Sequence, residues 1–134
     1  MPLIRIDVIE GRSDADLAAI SAAVHRGLTE CFNVPERDRF QVITEHRAGR
    51  LIYNAGYLGV DRTDGIVLVQ VFLSSGRTPE LKQSFYSRVA ELIVETAHTR
   101  PQDVMITLVE NERADWSFGN GVAQYLALPK EQWK

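Results

Sequence analysis

The stretch Ile66-Val67-Leu68-Val69-Gln70-Val71-Phe72-Leu73-Ser74-Ser75-Gly76-Arg77-Thr78-Pro79 decides the fold. Its first eight residues are almost wholly apolar, the composition of a strand central in a sheet. Its last residues open a helix. Thr78 is an N-cap, and Pro79 falls at the first helical position, where a missing N–H costs nothing. Leu81, Phe85, Val89, Leu92 and Thr96, with Ile93 alongside, then recur at three- and four-residue spacing as one stripe. This helix ends before Pro101, because the residue preceding a proline resists helical geometry.

Working outward, the same unit occurs earlier in the chain. Leu3–Ile9 is a strand, Gly11-Arg12-Ser13 opens a helix, and Ser13 is its N-cap. Asp14 and Asp16 face the positive end of the helix dipole. Leu17, Ile20, Val24, Leu28 and Cys31 form the apolar stripe, the helix ends near Phe32, and Asn33 to Asp38 is the exit turn. Arg12 to Arg77 and Asp38 to Asp103 are the same step of 65 residues, and Pro35 and Pro101 punctuate the same joints. The closing strands are Phe40–Glu45 and Val104–Val109. The pattern predicts one α+β domain over 1–134, made of two βαβ repeats at about 2–46 and 66–111. Right-handed crossovers give a four-stranded sheet with both helices on one face. The other face is then bare and apolar, which predicts an oligomer. The linker Arg47 to Gly65 is read as turns with a short hairpin around Leu51–Tyr53. Asp115-Trp116-Ser117-Phe118-Gly119-Asn120-Gly121 is read as a loop, followed by a short edge strand, Val122–Leu126.

Composition narrows the function. Net charge is −3 with the two signs interspersed and no basic run, which argues against a nucleic-acid partner. No apolar run reaches the roughly 18 residues of a membrane span, and the start lacks the layout of a signal peptide. Cys31 is the only cysteine, so an internal disulfide is excluded and a cytoplasmic location is expected. It lies on the apolar stripe and reads as packing rather than nucleophile. His25, His46 and His98 have no metal-ligand spacing among themselves or with Cys31. No metal and no cofactor is expected.

Met1 is followed by Pro2, and initiator methionine is usually removed before so small a residue. Removal leaves Pro2 a free secondary amine at the start of a strand, able to act as base, acid or iminium-forming nucleophile. With Met1 retained the nitrogen is an amide and this chemistry is closed. Many chains begin Met-Pro without catalytic use, so the reading depends on what surrounds the proline.

Three stretches carry a resemblance: Met1-Pro2-Leu3-Ile4-Arg5-Ile6-Asp7, Asn33-Val34-Pro35-Glu36-Arg37-Asp38-Arg39-Phe40-Gln41-Val42, and Asp115-Trp116-Ser117-Phe118-Gly119. With them the chain resembles the tautomerase superfamily, and within it the malonate semialdehyde decarboxylase group. The resemblance implies a catalytic amino-terminal proline, Pro2, in a pocket at a subunit boundary of a homotrimer. It implies that Asp38 acts on water or on the proline, that Arg77 binds the substrate carboxylate, and that Trp116 and Phe118 form an aromatic wall. One branch of the group has two arginines two positions apart, where this chain reads Ser75-Gly76-Arg77. One carboxylate contact is then missing, as in members that keep only the second arginine. His25-Arg26-Gly27-Leu28-Thr29 is similar to a run in the related cis-3-chloroacrylate dehalogenase, yet His25 is expected to be a solvated helix histidine. Tyr53, Tyr57 and Tyr125 are further candidates that spacing does not separate. Without the resemblance, Arg77 reads as a surface arginine at a helix start, as Arg12 does. Asp38 then reads as a turn cap, and Trp116 and Phe118 as core or interface aromatics.

The chemistry implied is decarboxylation of a short 3-oxo acid such as malonate semialdehyde, with promiscuous tautomerase or hydratase activity. Burial beside aromatic rings favours a neutral Pro2, and a nearby Asp38 carboxylate favours a protonated one. A protonated proline polarises a carbonyl and serves decarboxylation. A neutral one is a base suited to a phenylpyruvate-type keto-enol tautomerase, the alternative enzyme. A non-catalytic oligomeric binding module of the same fold is the alternative from another class.

Overall fold

The computed structural model describes residues 2–132; the expected loss of Met1 lies outside them. The elements are β1 (Leu3–Ile9), α1 (Asp14–Phe32), β2 (Phe40–His46), β3 (Val67–Ser74), α2 (Pro79–Thr96), β4 (Val104–Asn111) and a one-turn helix, α3 (Gln124–Ala127). The sheet order is β2-β1-β3-β4. β1 is parallel to β2, β3 is parallel to β4, and β1 and β3 run antiparallel between the two units. The step of 65 is built into the pairing: Leu3 lies opposite Phe40, and Leu68 opposite Met105.

The local devices repeat with the same step. Gly11 and Gly76 turn the chain into the helices at φ 121° and 120°, a region closed to side chains at low cost. Ser13 and Thr78 accept the Asp16 and Leu81 amides at 3.1 and 3.2 Å. Asn33 and His98 leave the helices in the left-handed region, at φ 55° and 48°.

Alternate residues of β1 and β3 (Ile4, Ile6, Val8; Val67, Val69, Val71, Leu73) are buried against Ile20, Val24, Leu28, Phe85, Val89 and Ile93 of the helices. Gly27 marks where α1 and α2 cross. A Cβ there would lie 2.4 Å from Val89 Cγ2 and 3.3 Å from Phe85 Cε1, so only glycine fits. Cys31 packs half-buried against this core. Leu81 and Thr96, at the ends of the α2 stripe, stay exposed, and Ala97 is buried instead.

The opposite face of the sheet carries Leu3, Phe40, Val42, Met105 and Val109, all exposed, with Phe40 at 51% and Met105 at 50%. The same face also carries Arg5, Thr44, Gln70 and Thr107, and a hydrogen bond there joins Asp7 and His46, whose Oδ1 and Nε2 are 2.6 Å apart. No helix among the described residues is long and apolar enough to cross a membrane.

Four expectations are corrected. Leu51–Tyr53 is not a hairpin; Gly49 at φ 85° turns the chain away, and the Tyr53 hydroxyl donates to Asp64 Oδ1 at 2.7 Å. Val122–Leu126 is not an edge strand. The Gln124 side chain takes the Phe118 N–H at 2.8 Å and donates to the Gly119 carbonyl at 2.9 Å, folding the segment into α3. Arg12 is no surface arginine. It is half-buried, donating to the Gly65 carbonyl and to Thr99 Oγ1 at 3.0 Å. His25 is no solvated histidine either: it is 4% exposed, with Nε2 2.8 Å from the Glu36 carbonyl.

Candidate active site

The starts of β1 and β2 and the end of β3 meet at one end of the sheet. There α1 delivers Phe32, Asn33 and Val34, and α2 begins just after Arg77. A cleft of about 710 Å³ opens at this end, with Phe32, Asp38, Phe40, Arg77, Phe118 and Tyr125 in its lining. Pro2 is buried and precedes Leu3, which pairs with Phe40 on one side and Phe72 on the other. The strand register thus sets Pro2 between the turn bearing Asp38 and the end of β3 at Ser74.

Arg77 is held in two ways. Its Nη1 donates to the Ser74 carbonyl at 2.9 Å, and Cζ sits 4.8 Å over the Phe32 ring, a cation–π geometry. Burial lowers its pKa; a guanidinium keeps its charge there. Asp38 closes the turn after α1, its amide donating to the Pro35 carbonyl at 3.0 Å. His25 braces the same turn from within α1. Donation to the Glu36 carbonyl fixes the proton on Nε2, and Nδ1 is buried with no partner among the described residues. His25 does not line the cleft.

The aromatic wall differs from the expectation in one member. Phe118 lines the cleft, whereas Trp116 stacks behind it, 5.5 Å between centroids and 3° between planes. Trp116 is fixed by donation from Nε1 to Asn111 Oδ1 at 2.8 Å. Of the three tyrosines the structure selects Tyr125, which is buried in the lining with its ring edge-on to Phe118 at 5.0 Å. Burial, and then the Asp38 carboxylate, push its phenol well above the ordinary value of 10.0, so it stays protonated. Ser75, at the position where one branch of the resembled group carries a further arginine, donates its hydroxyl to Glu112 Oε1 at 3.0 Å.

Phe32, Phe40 and Arg113 also line the cleft and were missed. Phe32 sits four residues beyond Leu28 on the α1 stripe, a signal available in the sequence; the other two carried none. A second, shallower groove on the outside of the helix pair is lined by Glu30, Cys31 and Arg88 among others. Glu30 is already paired with Arg88 at 2.7 Å, and no catalytic constellation converges there.

Family models described as tautomerase enzyme match residues 38–119 and 2–59. The chain is 40% identical over 126 residues to the probable tautomerase YrdN of Bacillus subtilis (strain 168), covering 94% of this chain and 97% of that one. Among solved structures, it is similar to the FG41 malonate semialdehyde decarboxylase inhibited by 3-bromopropiolate: 40% identity, TM-score 0.88, 93% of this chain and 95% of the other. It is also similar to a malonate semialdehyde decarboxylase described for its decarboxylase and hydratase activities: 35% identity, TM-score 0.88, covering 93% and 96%. The chain belongs to the tautomerase superfamily of enzymes and has relatives of the malonate semialdehyde decarboxylase kind.

Proposed function

We propose that the protein decarboxylates a short 3-oxo acid of the malonate semialdehyde type, using the amine of Pro2 after loss of Met1. One observation carries the reading. The register sets Pro2, which is buried and not itself in the lining, at the end of the sheet where a cleft holds a carboxylate, Asp38, a guanidinium, Arg77, and the rings of Phe118 and Phe40. Arg77 binds and orients the substrate carboxylate by charge-assisted hydrogen bonds. The Pro2 ammonium, kept protonated by Asp38, donates to the C3 carbonyl oxygen. The bond between C2 and the carboxyl carbon breaks, its electron pair passes to the carbonyl oxygen, carbon dioxide leaves, and the enol takes a proton at C2. Phe118 and Phe40 exclude water and suit neutral carbon dioxide better than the carboxylate it came from, a preference for the transition state over the ground state.

The same reading takes 1–134 as one domain acting as a homotrimer, which covers the apolar sheet face, in a reducing cytoplasm. The test is proton NMR of protein mixed with malonate semialdehyde, with intact mass to establish loss of Met1. Acetaldehyde well above a Pro2→Ala control supports the reading; none, from processed protein, overturns it. A phenylpyruvate-type keto-enol tautomerase is the second reading, favoured by the probable-tautomerase relative. That enzyme needs Pro2 as a base and tolerates Asp38→Asn.

A further inference from the structure

The cleft carries the opposite charge to the molecule. Among the described residues, Arg37, Arg77, Arg113 and Lys130 line it with Asp38 as the one carboxylate, in a chain of net charge −3. Arg37, Arg113 and Lys130 are all exposed side chains, and Arg77 is half-buried. Arg113 stands in a built turn. It opens a single 3-10 turn, Arg113–Asp115, directly after β4, closed by a reciprocal capping box between Glu112 and Asp115. The Glu112 amide donates to Asp115 Oδ2 at 2.8 Å. Glu112 in turn accepts the Ser75 hydroxyl at 3.0 Å, and the Ser75 amide donates to the Asn111 carbonyl at 2.8 Å. Two residues from Ser75 stands Arg77. One hydrogen-bonded block therefore fixes the segments bearing Arg77 and Arg113 relative to each other. Both guanidinium groups lie within electrostatic range of the buried Tyr125 hydroxyl.

We propose that Arg113 is a second carboxylate anchor of the cleft, selecting oxo acids that carry two carboxylates over those that carry one. This rests on the reading that Arg77 binds an oxo-acid carboxylate. The substrate class is a short oxo dicarboxylate, a 3-oxo acid whose carbonyl carbon bears a carboxylate where malonate semialdehyde bears hydrogen. The chemistry is unchanged and balances. The carboxyl group on the methylene leaves as carbon dioxide, the bond's electron pair passes to the carbonyl oxygen, and one proton is taken up at carbon. The product is a 2-oxo acid one carbon shorter. A cleft of about 710 Å³ falls within the range of pockets for considerably larger molecules. Arg113 acts here as a specificity determinant.

The test separates binding from turnover. Succinate and butyrate have the same chain length and differ by one carboxylate. Calorimetry on the full chain at fixed ionic strength should show succinate binding about tenfold tighter, the value of one charge-assisted anchor. Arg113→Ala should erase that preference while leaving butyrate within about twofold, Arg113→Lys should restore part of it, and Arg77→Ala should weaken both ligands. Ser75→Ala, which frees Glu112, should lower the preference partway. Equal affinity for the two acids in the unaltered protein would overturn the proposal. So would a Lys130→Ala loss as large as that of Arg113→Ala, because the effect would then be a general field. In the turnover arm, oxaloacetate should be decarboxylated to pyruvate with a higher kcat/KM than malonate semialdehyde, and Arg113→Ala should reverse the order. Intact succinate preference without any decarboxylation counts against the decarboxylase alone. Decarboxylation of malonate semialdehyde without Arg113-dependent selectivity counts against the second anchor alone.

Discussion

At one end of the sheet Arg77 and Asp38 line a cleft; at the other, Arg12 and Asp103, each 65 residues away, are absorbed by the fold. Arg12 donates to the Gly65 carbonyl, to Thr99 Oγ1 at 3.0 Å and to the Ala97 carbonyl at 3.5 Å. Asp103, only 2% exposed, accepts the Thr63 amide at 2.7 Å and the Thr63 hydroxyl at 2.6 Å. Two local differences separate the ends. The position corresponding to Pro2 is Val67, preceded by Thr63–Ile66, and that segment fills the space and satisfies both charges. The position corresponding to Phe32 is Ala97, so the ring under Arg77 has no counterpart there, and the Arg12 guanidinium turns to the Gly65 and Ala97 carbonyls and to Thr99 Oγ1. The same arginine and aspartate line a cleft at one end and are tied into the fold at the other, where Thr63 and Gly65 supply partners from the neighbouring segment.

The largest effect expected of this contrast is a double dissociation between the arginines. Arg77→Ala should lower kcat/KM for an oxo acid by roughly a hundredfold, the upper value of a lost charge-assisted hydrogen bond, with a smaller drop in the urea midpoint than Arg12→Ala, because it gives up one carbonyl bond, to Ser74, and the Phe32 contact. Arg12→Ala should do the reverse. It leaves the Gly65 and Ala97 carbonyls short of a donor and should cost about 1–3 kcal/mol of stability, with turnover per folded molecule retained. Urea titrations and steady-state kinetics on both variants check this. Equal losses of stability would show that Arg77 is structural too.

The aspartates sharpen the contrast by a smaller step. Asp103→Asn sets an amide where two donors from Thr63 now converge, so one meets an NH₂ group, at a cost of about 1–2 kcal/mol. Asp38→Asn should leave thermal stability nearly unchanged and suppress decarboxylation, because the neutral amide no longer favours a protonated Pro2. A variant that loses decarboxylation and keeps phenylpyruvate tautomerisation would locate the Asp38 charge in the choice between the two chemistries.

Much of this contrast was legible in the chain itself. The step of 65 survives because the pairing requires it. The same spacing that sets Phe40 opposite Leu3 sets Met105 opposite Leu68, and the glycine and left-handed residues at the joints follow suit. What sequence could not supply was the bond partner. Arg12 and Arg77 sit in near-identical settings, Gly-Arg-Ser and Gly-Arg-Thr, and their fates are decided by Gly65 and Phe32, distant in sequence. His25 reads as polar on a helix until the Glu36 carbonyl, within the exit turn, accepts a hydrogen bond from its Nε2–H. Tyr125 was hidden among three tyrosines because the segment bearing it alternates like a strand. A side-chain bridge from Gln124 overrides that local pattern, as tertiary context commonly does.

Charges belonging to neither end give the smallest effect and a control for the others. Glu30, on the outer surface of α1, is held by Arg88 and by Arg26, each at 2.7 Å. Hydrogen bonds from Arg88 first and Arg26 second pull its pKa from the ordinary 4.5 down to about 2. A carboxylate depressed in the folded state contributes stability that is present above its unfolded pKa and is lost as pH falls through the folded one. The contribution is therefore present above about pH 4.5 and fades between there and about pH 2. The group lies at the surface, so the effect is small and is screened by salt. Glu30→Gln should melt slightly below the unaltered protein near neutrality, and the two should converge as pH falls to about 2, with 1 M salt narrowing the gap at every pH. A gap independent of pH would assign it to packing rather than to the ion pairs. Because this exterior network weakens in acid at no cost to either end of the sheet, the arginine and aspartate comparisons belong near neutrality, where a change in stability reports the buried Arg12 and Asp103 contacts and not the helix surface.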